Sequence, residues 1–396
     1  MKPVRLKVAW LFVFCTLAGC ASTYNAQKVG PTPIVQATRE IPEEQLMDVG
    51  IVVFDSEEVT AKVVENEGTT AEIRNAEKHF IPYHLKNTIQ KSSHWGAVRV
   101  IPDDSASVDV LVQGTVLSSN GENLILEIEV TDSTGAQWFQ KRYRAEADSA
   151  AYIGMERGST DAFQDIYNAI SNDIIRHRES ELDPAGIQTI RTVTKLTFAE
   201  NYAPDAFSGY LETDPKGGVS INRLPADGDP MMGRLLKIRD REHMFVDTLN
   251  EYYDQFYGVM WPSYENWRKL NQQEQKALDD IQKRARLRQL AGLLLVAGAI
   301  AMAAGDVDNT AGLQAGMVIM GGQVFVDGLN VSKQAEMHSV AIKELSESFE
   351  SEMKPIVMEF EGKQYELTGS AEEQFKKWRE LLRRIYYEET GFDPQA

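Results

Sequence analysis

Cysteine is nearly missing from this chain. Its 396 residues hold two, Cys15 and Cys20, so everything after position 20 is without a thiol, forms no disulfide and draws its stability from hydrophobic burial. Histidine is almost as scarce. The six present (His79, His84, His94, His177, His243 and His338) make no HExxH pair, and the nearest two stand five apart across Pro82; no metal or other cofactor is expected. The chain also has no GxSxG elbow, no Walker-type loop and no GxGxxG at a strand-to-helix turn. That removes the sequence grounds for an α/β-hydrolase, a P-loop NTPase or a dinucleotide enzyme. Positive charge is in deficit, with 41 Lys and Arg against 59 Asp and Glu for a formal charge of −18. Such a surface repels nucleic acid and anionic head groups, so no nucleic-acid partner is expected. No segment of the chain repeats at a regular period.

What is present begins at the N-terminus. Lys2, Arg5 and Lys7 precede an apolar run over residues 8–17, and small residues lead into a cysteine, Leu17-Ala18-Gly19-Cys20. The run is too short for a stable membrane-spanning helix and has the layout of a secretory leader. Its end resembles the lipobox of bacterial lipoprotein precursors. That resemblance implies acylation of the Cys20 sulfur, removal of residues 1–19 and a membrane attachment through N-terminal lipid, each buried methylene contributing roughly 0.8 kcal/mol. Ala21 and Ser22 follow in place of the aspartate that signals inner-membrane retention in this class, so the resemblance implies the outer membrane, with the body in the periplasm. Loss of the three leader cations leaves 38 basic residues against 59 acidic ones.

The segment 20–44 is polar, carries Pro31, Pro33 and Pro42, and shows no apolar period; it reads as a tether. Residues 45–150 read as a small α+β domain, a mostly antiparallel sheet with helices. Val49-Gly50-Ile51-Val52-Val53-Phe54 suits a buried strand. Residues 70–92 have near-helical spacing that Pro82 is expected to bend or interrupt. Strand patterns cover 97–101, 109–117 and 123–131, with Asn120-Gly121 a hairpin turn between the last two and Ser133-Thr134-Gly135 a second turn before 137–144. The strand 108–116 and the hairpin 126–143 resemble periplasmic lipoprotein domains of the curli-secretion CsgG and penicillin-binding-protein-activator LpoB type. The likeness covers about a quarter of the chain and implies assembly and protein binding, without catalysis.

From 151 to 288 the pattern is mainly helical. Phe163, Ile166, Tyr167, Ile170 and Ile174 form one stripe, with Ser159 or Thr160 as its cap. Residues 190–198 fit either strand or helix, 211–232 is rich in turn formers and reads as a boundary or lid, and 234–257 is helical. Arg239-Asp240-Arg241-Glu242 reads as a solvated helix face. Residues 290–304 carry no charge, and a second small-residue run follows over 311–325. Gly292, Gly298, Gly312, Gly316 and Gly321 space these runs for close helix contact, so 289–328 reads as a helical hairpin. It either packs in protein, within the core or between copies in a homo-oligomer, or inserts into lipid behind the cations Lys283, Arg284, Arg286 and Arg288. Residues 329–396 read as helices around a tight β-hairpin at Glu361-Gly362-Lys363. Trp267-Arg268 and Trp378-Arg379 fit either a stacking recognition feature or ordinary helix packing.

The function expected is a non-enzymatic outer-membrane lipoprotein, a scaffold or accessory subunit of an envelope assembly that binds envelope proteins. A channel or translocation subunit and an envelope hydrolase are the competing readings.

Overall fold

The structure is a computed structural model. It describes residues 26–60, 68–104, 107–147, 152, 161–301, 355–360 and 362–391, together with 337, 340, 341, 343 and 344. Within these residues the protein is an α+β structure built on one mixed sheet in the order β1 (Gln27–Val29), β7 (Gln137–Glu146), β6 (Asn123–Asp132), β5 (Val110–Ser119), β2 (Val49–Val52) and β4 (Val98–Ile101), with β3 (Asp55–Ser56) pairing β5 off this path.

The β-branched run Val49–Val52 forms β2, which lies between β4 (Val98–Ile101) and β5 (Val110–Ser119) and is parallel to both. Parallel neighbours need a crossover. The helix α1 (Ala71–Lys91) provides it between β2 and β4, its first turn capped by the Thr70 hydroxyl accepting from the Ile73 N–H. Long antiparallel ladders then join β5 to β6 (Asn123–Asp132) and β6 to β7 (Gln137–Glu146). The sheet is thus mixed, with its two long ladders antiparallel and its short ones parallel. The shortest strands, β1 (Gln27–Val29) on β7 and β3 (Asp55–Ser56) on β5, add further parallel pairs.

Pro82 does not interrupt α1. A proline lacks the N–H that would bond the carbonyl four residues earlier, and here that carbonyl, on Lys78, accepts instead from the Phe54 N–H at 2.9 Å. The strand end after β2 thus satisfies the group the proline leaves free. Phe54 is buried and its ring lies over Gly114 of β5, where an added Cβ would sit 2.5 to 2.7 Å from ring carbons.

The helices α2 (Gln164–Glu181) and α3 (Pro184–Tyr202) follow, separated by Asp183, whose carboxylate caps α3 through the Gly186 N–H. Residues 190–198 are thereby helical. Ser159 and Thr160 lie outside the described residues, and α2 starts at Gln164 without a side-chain cap. A short helix, α4 (Pro204–Phe207), leads to the hairpin β8 (Leu211–Thr213) and β9 (Val219–Ile221), so the expected boundary segment contains a small antiparallel ribbon tied to the β6–β7 turn by Val219 N–H to Thr134 O. The 72-residue helix α5 (Pro230–Ala301) comes next, then the hairpin β10 (Ile356–Phe360) and β11 (Lys363–Leu367), and α6 (Ala371–Thr390), which opens with a Ser370/Glu373 capping box.

Two sequence expectations change here. The helices assigned to a separate domain at 151–288 bury their apolar stripes in the same continuous core as the sheet and α1. Residues 27–45 are not a free tether, because β1 pairs with β7 and the chain after it lies on α2 and α3.

Replacing Gly114 by alanine drives a methyl into the Phe54 ring. We expect a loss of about 1 to 3 kcal/mol in denaturant unfolding, with part of it recovered in Gly114→Ala/Phe54→Leu and no recovery from Phe54→Leu combined with a distant core change.

Candidate functional site

The groups with the most chemical potential lie where α5 crosses the open end of the sheet. Tyr264, Trp267, Arg268, Asn271 and Gln272 repeat on one helix face, and all five are buried. Arg268 makes a two-pronged ion pair with Asp161, Nη1 to Oδ2 at 2.8 Å and Nη2 to Oδ1 at 3.2 Å, and its guanidinium lies 4.5 Å from the Phe163 ring centroid. Burial by itself pushes the Asp161 carboxyl up, but Arg268, His84 and the Phe163 N–H outweigh it and hold the group below the usual carboxylate range. Burial likewise opposes the Arg268 charge, and Asp161 reverses the balance.

Around this pair most polar groups find partners, although Arg268 Nε has none among the described residues. Glu77 of α1 accepts from Ser119 Oγ at 2.5 Å, Tyr264 OH at 2.7 Å and Arg74 Nη1 at 2.9 Å. Asn271 donates to the Asn120 carbonyl, Gln272 to that of Ala147, and Tyr152 to that of Gly121. Gly121 has φ +76°, and a Cβ there would meet the Arg268 carbonyl at 2.2 Å. The Asn120-Gly121 turn read from the sequence is thus also the seat of the helix.

A second buried cluster repeats the pattern on α6. Glu242 accepts from Tyr202 OH at 2.6 Å and Arg379 Nε at 3.2 Å, while Trp378 Nε1 donates to the Arg241 carbonyl. Both Trp-Arg pairs are therefore packing elements whose arginines each hold a buried carboxylate. The expected solvated face at 239–242 is corrected as well, since Glu242 is 2% and Arg239 9% exposed. A helix-surface charge pattern does not reveal this. The partner carboxylates come from distant segments.

His84 sits beside the first pair, 4.4 Å from Phe80 and stacked on Tyr167 at 5.8 Å. Burial lowers its pKa to about 4, with Arg268 acting the same way and Asp161 against it. The buried His94 imidazole and the exposed Glu179 carboxylate stand 3.6 Å apart in a cleft of about 730 Å³ that residues 35–42 also line. Further open clefts of about 500, 600 and 360 Å³ lie at the start of α1, between α1 and α5, and between α3 and α6. Among the described residues no three His, Cys, Asp or Glu side chains converge as a metal site, and no helix is long and apolar enough to cross a membrane.

Of the residues singled out in the sequence, Gly292 and Gly298 fall on the α5 backbone, while Cys20, Gly312, Gly316 and Gly321 lie outside the described residues. No protein-family profile, no curated protein and no solved structure matches the chain. The first cluster fixes α5 to the sheet and α1 in one register, and the second fixes α6 to α5 and α3.

Truncating one partner of the first cluster leaves a buried charge alone. Arg268→Met is expected to cost about 3 to 5 kcal/mol, and Asp161→Leu added to it to restore much of that loss, measured as a double-mutant cycle in chemical denaturation. His84 carries a second expectation. An unfolded histidine takes up its proton near pH 6.5 and the folded one near 4. Between those values the unfolded state binds more protons, so stability falls as pH drops through the window, by up to about 3 kcal/mol from this group. His84→Gln should flatten that part of the stability-pH curve; an unchanged slope would show that His84 is not the group responsible.

Proposed function

We propose that this protein is an outer-membrane lipoprotein, acylated at Cys20, that works without catalysis as a scaffold or accessory subunit of an envelope assembly, through contacts with envelope proteins and with copies of itself. The observation that carries this reading is the length of α5. Gln272 is its last buried side chain among those described, yet the helix runs on to Ala301, about 44 Å further at 1.5 Å per residue. The chain is back at the body by Lys343, whose Nζ lies 3.0 Å from Glu72 at the start of α1, four residues from the Gly68 that Asn271 touches. Asn271 and Lys343 thus stand beside neighbouring points of the body. The sequence between them carries no charge over 290–304, and a helix apolar on all sides is stable only when covered.

A copy of the same arm is a suitable cover. Gly292 and Gly298 permit close backbone approach, as do Gly312, Gly316 and Gly321 further along. Acylation at Cys20 supports an assembly at the membrane face, and the acidic balance supports a body that stays off the anionic surface except where lipid holds it. The channel reading keeps one specific support, the cations Lys283, Arg284, Arg286 and Arg288 ahead of the apolar stretch.

Mass measurement of the protein starting at residue 21 should give a defined oligomer, and Leu295→Glu should reduce it to monomers while leaving the Tm of the body within a few degrees. A monomer at all micromolar concentrations defeats self-association. If the unacylated protein instead enters vesicles and Leu295→Glu abolishes this, the channel reading replaces the scaffold.

A further inference from the structure

Residues 30–45 lie on the body in an unusual way. The groups that hold them are mostly side chains of α2 and α3, and what they bind is backbone. Thr32 N–H donates to Asp165 Oδ1 at 2.8 Å, and Asn168 Nδ2 donates to the Thr32 carbonyl at 2.8 Å. Asn172 spans the next step, accepting from Val35 N–H at 2.8 Å and donating to the Pro33 carbonyl at 2.9 Å. Ala37 N–H reaches the Ser92 carbonyl. Arg191, Gln188 and Arg178 then donate to the successive carbonyls of Glu43, Glu44 and Gln45.

Apolar burial is nearly missing from this segment. Val29 and Met47 are buried, and no residue between them is; Val35 is 45% exposed. Residues 35–42 line, with His94, Arg178 and Glu179, an open cleft of about 730 Å³, so this stretch borders open space as well as the body. The strand that precedes it, β1, has three residues and pairs only at the edge of the sheet. A segment tied by hydrogen bonds with little buried apolar surface belongs to the least stable part of a fold, because the bonds it loses on opening are regained from water.

We propose that residues 27–45 are a releasable strap with a docked and an undocked position, opening as one unit up to the buried Met47 while the sheet stays folded. The consequence rests on the acylation of Cys20 proposed above. Docked, the chain between an anchor at Cys20 and the body at Gln27 spans at most about 25 Å; undocked to Met47 it spans at most about 95 Å. The strap then sets how far from the membrane the body reaches. The Asn168 and Asn172 amides are its catch: Asn168 joins the Thr32 carbonyl to Gln164 of its own helix, and Asn172 holds both a donor and an acceptor of the strap.

Hydrogen exchange on the full-length protein in lipid vesicles tests this. Amides of peptides covering 30–45 should exchange at least about 100-fold faster than those of β6, at rates insensitive to low denaturant, as local opening requires. Asn168→Ala/Asn172→Ala should speed strap exchange a further tenfold or more and leave β6 unchanged. Strap amides that exchange in step with β6, or a double variant that leaves strap rates alone or accelerates both regions equally, would overturn the proposal. The mass of the N-terminal peptide is read in the same samples. An unacylated Cys20 would refute the anchor while leaving the strap result standing.

Discussion

The salt bridge between Arg268 and Asp161 constrains the rest of the structure. Two charges taken out of water are tolerable only with near-ideal geometry and with their remaining donors and acceptors occupied. Here the geometry is two-pronged; Arg268 Nε is left without a hydrogen-bond partner among the described residues, but the surrounding polar groups, Glu77, Asn271, Gln272 and Tyr152, each find one on the sheet, on its turns or on α1 and α5. A helix made only of aromatic and aliphatic contacts could slide by a turn at modest cost. This one cannot slide without stranding several buried polar groups at once, so its register is set. The Glu242, Tyr202 and Arg379 cluster does the same for α6.

That register has a further effect at the sheet edge. The strand β4 would expose unpaired backbone, and Asn250 of α5 closes it, accepting from the Val100 N–H at 2.9 Å and donating to the Val100 carbonyl at 2.8 Å. Arg99 on the same strand pairs with Asp247. One helix thereby caps the edge of the sheet, covers α1 and carries the chain on past the body. The opposite edge is treated differently. There β1 is short and leads into a segment held by side chains of α2 and α3.

Much of the architecture follows from local pattern. Alternation of Leu124, Leu126, Ile128 and Val130 places one face of β6 in the core, and all four are buried. The Asn120-Gly121 and Gly135 turns occur with the positive φ values that their glycines permit. The Trp378 stripe of α6 and the β10–β11 hairpin also stand where their periodicity puts them. Readings that depended on what lay opposite were harder. The charge run 239–242 has the look of a solvated face, and nothing local says that Tyr202 and Arg379 meet Glu242. Pro82 reads as a break because its replacement partner, the Phe54 N–H, is 28 positions away. The polar stretch after Cys20 reads as a tether because the side chains that hold its backbone belong to α2 and α3.

By itself, then, the sequence determined the α+β class, most strand and hairpin positions, the absence of thiols after position 20, and the acidic surface, because these depend on residue type and on spacing along one element. The tertiary structure decided which strands run parallel, that the helices after the sheet share its core, that two arginines beside tryptophans pair with buried carboxylates, and that residues 27–45 dock. Each of those outcomes turns on a donor finding an acceptor from a distant segment, and the free energy of such a pair depends on burial and geometry that no local pattern encodes.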